Sequence, residues 1–160
     1  MVDMLVLDGR DERLKFLGLD GILTATCCPN CVGFLKGPAF NSFTLDGSVK
    51  VFPSELFDGA DKTDCYVRPE DYKALTENLF ILDKTPVPLF YGSACEDVNT
   101  VGGFANWVQD AEYTTCPHCG KPMKYLAQIQ WDTVMDGTEG TLYVEFCPEC
   151  QIVSMQHQQT

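Results

Sequence analysis

Cys116-Pro117-His118-Cys119-Gly120 and Cys147-Pro148-Glu149-Cys150 are two Cys-x-x-Cys turns. A two-residue spacer lets both sulfurs of a pair converge on one metal ion at about 2.3 Å, and four thiolates make a closed tetrahedral site. Pro117 and Pro148 stiffen the turns, and Gly120 can take the left-handed conformation just past the second ligand. Cys116, Cys119, Cys147 and Cys150 are therefore read as ligands of one structural Zn²⁺. Iron in the same four sulfurs and a redox role for either pair are the competing chemistries. His118, between two ligands, is read as facing solvent. A third pair, Cys28 and Cys31 of Cys27-Cys28-Pro29-Asn30-Cys31, has the same spacing. With Cys65 and Cys95 it makes a candidate second site for a second ion. The alternative for these residues is buried thiols acting as small hydrophobes, or a redox or thiol chemistry of the N-terminal motif.

The elements that must position the four ligands are legible between them. Met123, Tyr125, Ala127, Ile129 and Trp131 fall on one face of a strand, and Leu142, Val144 and Phe146 on one face of another. Asp136, Gly137 and Gly140 connect them. An antiparallel hairpin brings the second knuckle back to the first, in a ribbon-like unit spanning residues 113–153. Upstream, Asp11 to Leu19 predicts a short helix with Leu14 and Leu17, and Leu7 before it, facing the core. Ile22 to Thr26 is β-prone. Phe43, Leu45, Asp46-Gly47, Val49 and Val51 predict a hairpin closed by a tight primed turn. Tyr72, Leu75 and Leu79 predict a helix over Pro69 to Phe80, and Val87 to Tyr91 an edge strand. Gly92 to Gly103 reads as a loop, and Ser154 to Thr160 as a polar, partly mobile tail. The fold class expected is α+β, mainly antiparallel β with one or two short helices. No linker divides the 160 residues, so one domain over 1–160 is expected.

Composition bounds the partners. The net charge is −12, from 11 Lys+Arg against 23 Asp+Glu. Such a surface repels phosphate and favours basic partners, besides keeping a protein dispersed. A nucleic-acid-binding zinc ribbon is a poor fit, because the Met123 to Phe146 hairpin carries Lys124 as its sole cation. No apolar leader is found in Met1 to Leu19, and no window reaches the length of a membrane span. With nine cysteines, an odd number, this points to a reducing cytoplasm, where paired cysteines read as metal ligands or redox groups before disulfides. No catalytic constellation stands out, and the reading leans away from an enzyme.

Gly102-Gly103-Phe104-Ala105-Asn106-Trp107-Val108-Gln109, the first knuckle, Met123 to Gln128, Leu142-Tyr143, and Phe146-Cys147 with Cys150 follow one another in an order that resembles the YwqG-like domain family. The same order is similar to the eukaryotic relatives around programmed cell death protein 2. The resemblance covers Val101 to Cys150; Ala105 stands where those relatives usually have proline. It implies an escort of a basic ribosomal protein before assembly, so the expected activity is a non-enzymatic, chaperone-like adaptor for a basic protein segment. Read physically, Gly102 and Gly103 permit a close backbone approach and Trp107 is a large apolar anchor. Gln109 could bond an open strand edge, as in a groove that receives an added strand. The alternative is a core tryptophan held by a glycine turn.

Overall fold

The computed structural model describes residues 1–60, 67–68, 71–77, 80–83, 99–134 and 138–159. In chain order the elements are β1 (Val2–Asp8), a 3-10 turn (Glu12–Leu17), β2 (Ile22–Cys27), α1 (Pro29–Val32), β3 (Ala39–Phe43) and β4 (Val49–Val51). Then come α2 (Asp71–Glu77), β5 (Thr100–Val101), β6 (Lys124–Gln130), α3 (Trp131–Val134), β7 (Thr141–Cys147) and β8 (Ile152–Gln158). Six strands form one antiparallel sheet in the order β4-β3-β8-β7-β6-β5, and β1 and β2 form a separate antiparallel pair. The class is α+β, mainly antiparallel β with few and short helices.

Residue type explains the inner face of the large sheet. Leu142, Val144 and Phe146 of β7, Val153 and Met155 of β8, and Ala39 and Phe43 of β3 alternate with a period of two and point to one core. Leu23, Ala25 and Cys27 of β2 meet them, with Leu7, Leu14 and Leu17. The 3-10 turn that carries Leu14 and Leu17 is capped by Asp11, which accepts from the Arg13 N–H, and closed by Gly18 at φ 66°. One polar group joins the two sheets across this core. Asn41, fully buried on β3, accepts from the Thr26 N–H at 2.9 Å and donates to the Thr24 carbonyl at 2.9 Å. Its amide stands in for a strand, satisfying the edge of β2 that faces β3.

The opposite face of the sheet is polar yet covered. Gln128, Gln130, Thr141, Tyr143, Glu145, Ser154 and Gln158 are all buried. Residues 104–114 lie across Gln128, Tyr143, Glu145 and Gln158, held by their side chains, while Gln130 and Thr141 bond each other at 2.9 Å. This overturns the expectation of a mobile tail: Ser154 to Gln158 lies in β8, an interior strand bonded to β3 and β7. Gln156 and Gln158 face the covering segment while Val153 and Met155 face the core.

Three local expectations are also corrected. The β3–β4 turn is not a two-residue primed turn. Leu45, Asp46 and Gly47 make a three-residue loop, with Gly47 alone at positive φ (91°); the Gly47 N–H bonds the Thr44 carbonyl and the Thr44 N–H the Ser48 carbonyl. Trp131 does not continue the β6 face; it opens α3. A bulge between Tyr125 and Ala127 turns Leu126 into the core and breaks the simple alternation. The Asp71–Glu77 helix lies inside the predicted Pro69 to Phe80 range, and Thr100–Val101 is a short strand within the predicted loop. Val87 to Tyr91, Cys65 and Cys95 lie outside the described residues. Among the described residues no helix is long and apolar enough to cross a membrane.

Candidate metal centre

The four sulfurs of Cys116, Cys119, Cys147 and Cys150 all lie within 4.8 Å of one another. The β6–β7 pairing sets Lys124 opposite Phe146, so the residues just before β6 and just after β7 share one end of the sheet. The second knuckle is itself the β7–β8 turn: Cys147 ends β7 and Ile152 begins β8. The two knuckles end alike. The Gly120 N–H bonds the Cys116 carbonyl, and the residue after each second cysteine is left-handed, Gly120 at φ 70° and Gln151 at φ 53°. Gln151 is the only non-glycine with positive φ among the described residues. A residue without glycine's freedom there shows that the turn is imposed by its surroundings.

The sulfurs fit a tetrahedral ion. Sulfur ligands about 2.3 Å from zinc stand about 3.8 Å apart along a tetrahedron's edge. Cys119 Sγ and Cys147 Sγ, one from each knuckle, are 3.8 Å apart, far beyond a disulfide bond. Cys116 and Cys147 are buried in an apolar shell of Met123 and Ile152, with Phe40 and Phe52 packed beside it. Burial works against a Cys116 thiolate, but the backbone N–H groups of Cys119 and His118 outweigh it and hold this thiol below its usual value. Burial and the neighbouring sulfurs push Cys150 up to about 12. Four sulfurs sharing one small volume cannot all ionise unless a cation joins them. His118 is exposed; its Nδ1 lies 3.3 Å from Cys150 Sγ, where an N–H would support the sulfur. Lys121 and Glu149 form an exposed ion pair across the two knuckles at 2.6 Å.

The other candidate residues fall elsewhere. Gly102 and Gly103 are both left-handed (φ 77° and 79°) and turn the chain away from β5. A Cβ on Gly102 would lie 2.8 Å from the Phe16 ring. Trp107 stacks on Tyr143 at 4.4 Å and meets Tyr113 edge-on at 5.5 Å. The Gln109 side chain donates to the Gln159 carbonyl, and its N–H donates to Gln158 Oε1. These groups fasten residues 104–114 over the sheet, so the chain itself uses the contacts that a strand-receiving groove would need.

Sequence reasoning missed the partners of that segment. The Asn106 N–H donates to Gln128 Oε1 at 2.8 Å and the Val108 N–H to the Tyr143 hydroxyl at 2.9 Å. Tyr143 donates in turn to the Asn106 carbonyl, Gln156 to that of Glu112, and Gln158 to that of Asp110. The Thr114 N–H donates to Glu145 Oε2 at 2.8 Å. Glu145 is fully buried, and burial pushes its carboxyl above its usual range. The signal for this face was present as a polar residue at every second position of Gln128-Ile129-Gln130 and of Ser154 to Gln158.

Cys28 and Cys31 are joined as a disulfide, with Cα atoms 5.2 Å apart. In that state neither offers a thiolate to a second metal ion. Cys27 beside them is fully buried, and burial raises its pKa to about 12.

Comparison with known proteins gives a partial relative. Over 62 residues the chain is 42% identical to a Salmonella typhimurium protein named uncharacterized protein YpfL, covering 38% of this chain and 15% of that protein. No family model matches, and no solved structure matches.

Proposed function

We propose that the four-cysteine cluster holds one structural zinc ion and that the zinc-braced sheet serves as a non-enzymatic, acidic adaptor for a basic protein segment. The observation that carries the reading is the convergence of all four sulfurs, two from each knuckle, within 4.8 Å. Four thiolates fill the tetrahedron and leave no position for water or substrate, so the ion braces the fold and takes no part in chemistry. Zinc is favoured by the all-sulfur donor set in matched Cys-x-x-Cys turns. The adaptor half rests on the net charge of −12 and on the resemblance to the YwqG-like domain family, whose eukaryotic relatives are implied to escort a basic protein.

Metal analysis of the purified chain is expected to give one zinc per chain. Stripping it with a chelator should melt the Met123, Cys147 and Ile152 cluster and lower the thermal midpoint by ten degrees or more, reversed by added zinc. Cys119→Ser should do the same without a chelator. A metal-free protein with an unchanged midpoint overturns the zinc assignment. For the adaptor, titration of the zinc-loaded chain with Lys/Arg-rich peptides should show salt-sensitive binding, and an acidic peptide of equal length should show none. Equal binding of both peptides defeats the adaptor reading and leaves the metal site standing.

A further inference from the structure

The N-terminal Cys28-Pro29-Asn30-Cys31 turn carries a second chemistry, independent of the metal centre. Cys28 caps α1: its carbonyl accepts from the N–H groups of Cys31 and Val32, both at 3.0 Å. The Cys28–Cys31 bond closes a ring with Pro29 and Asn30 inside it. Both sulfur-bearing residues are half-exposed, while Cys27 is fully buried in β2. Asn30 makes two long-range contacts. Its Oδ1 accepts from the Val67 N–H at 2.6 Å, and its Nδ2 donates to the Tyr72 hydroxyl at 3.1 Å. Val67 is fully buried, and Tyr72 and Leu75 pack against the main core from α2. One side chain, held in a disulfide-closed turn, thus fastens both Val67 and α2.

We propose that Cys28–Cys31 is a reversible thiol–disulfide exchange site whose oxidation state sets how firmly Val67 and α2 are docked. The co-reactant is a thiol such as glutathione. A thiolate attacks one sulfur of the pair, the Cys28–Cys31 bond breaks, and a mixed disulfide forms as the other cysteine leaves and takes up a proton. A second thiolate attacks the mixed disulfide, releasing the oxidised small-molecule disulfide and the second cysteine thiol. Two electrons pass from two thiols to the protein. The ring is short, so its closure restricts little of the unfolded chain. Its effect is local: it fixes the turn that aims Asn30. Cys27 takes no part, because a fully buried thiol is out of reach of the attacking group.

The test uses the full chain, zinc-loaded, equilibrated in glutathione buffers from oxidising to reducing, then acid-quenched and alkylated. Mass spectrometry reads the tryptic peptide running from Phe16 to Lys36, which contains Cys27, Cys28 and Cys31. Cys28 and Cys31 are expected to pass together from protected to labelled across the series. In parallel, native trypsin cleavage after Lys73, inside α2, should quicken roughly tenfold on reduction, because cutting requires α2 to open. Asn30→Ala should be cut fast in both states while its redox titration is unchanged, separating the clamp from the switch. Cys28→Ser/Cys31→Ser should be cut fast whatever the buffer; should that variant not fold, the wild-type titration alone decides. Labelling of both cysteines at every glutathione ratio overturns the proposal. So does equal cleavage in the two states, or a second equivalent of zinc that Cys28→Ser removes.

Discussion

Gln151 and Gly120 occupy the same place in the two knuckles but differ in what the backbone costs them. A left-handed residue with a Cβ is less stable there by about 1 kcal/mol. Nothing lies within 4 Å of a Cβ added to Gly120, so Gly120→Ala probes the backbone alone. It should destabilise the zinc-loaded chain by about 1 kcal/mol, and Gln151→Gly should stabilise it by a few tenths; denaturant midpoints at constant slope would read both. Glu145 makes the second residue-scale case. Its carboxyl accepts from the Thr114 N–H through Oε2, and Oε1 has no partner among the described residues. Because burial raises its pKa, ionising it at neutral pH costs stability. Glu145→Gln keeps an acceptor for Thr114 and removes the charge, so it should raise the thermal midpoint. Glu145→Ala leaves a buried N–H unpaired and a void, and should lose about 2–4 kcal/mol.

Among elements, β8 departs most from what its residues suggest. Ending the chain at Val153 removes a strand from between β3 and β7 and uncaps residues 104–114. That truncated chain should show no cooperative unfolding by circular dichroism, whereas a tail shed from a finished domain would leave the midpoint untouched. The contrast explains why some of the architecture can be read in advance and some cannot. The four-cysteine cluster and the returning β6–β7 hairpin are written in short-range terms: spacing, proline, glycine and alternation within Cys116 to Cys150. The place of β8 is not. Gln156 and Gln158 look like solvent-facing residues until residues 109–112, 44 to 49 positions earlier, are laid against them. Trp107 was legible as an anchor, but its support, the Tyr143 ring, is a long-range partner that no local pattern names. The Leu126 bulge likewise shifts a face that alternation alone had fixed.

For the whole molecule, one histidine links stability to pH. His157, on β8 facing the core side, accepts at Nδ1 from the Trp131 indole N–H at 2.7 Å. Indole can only donate, so the imidazole must offer a lone pair there. Burial lowers its pKa, against a weaker opposing effect of Gln159. The unfolded chain therefore binds more protons than the folded one below about pH 6.5, and stability falls as pH drops through that value. The His157 contribution should decline between pH 8 and 5.5, read as the difference in thermal midpoint between wild type and His157→Gln, since protonation of Glu145 acts in the opposite direction. Glu139 lines the same cleft as His157, with Trp131 and Pro29, so the local field includes a carboxyl as well. The remaining acidic excess acts at longer range and should be screened by salt.

A hairpin turn is ordinarily decided by the residues that fill it. Here the chain passes from β7 to β8 through Cys147-Pro148-Glu149-Cys150, and Gln151 holds a conformation it would not choose alone. With an ion in place, the pairing of two interior strands and the supply of that ion become one equilibrium. Scarcity of the metal would then be felt as a shortage of correctly registered protein. The amount of folded chain would follow metal availability, with no separate sensor required.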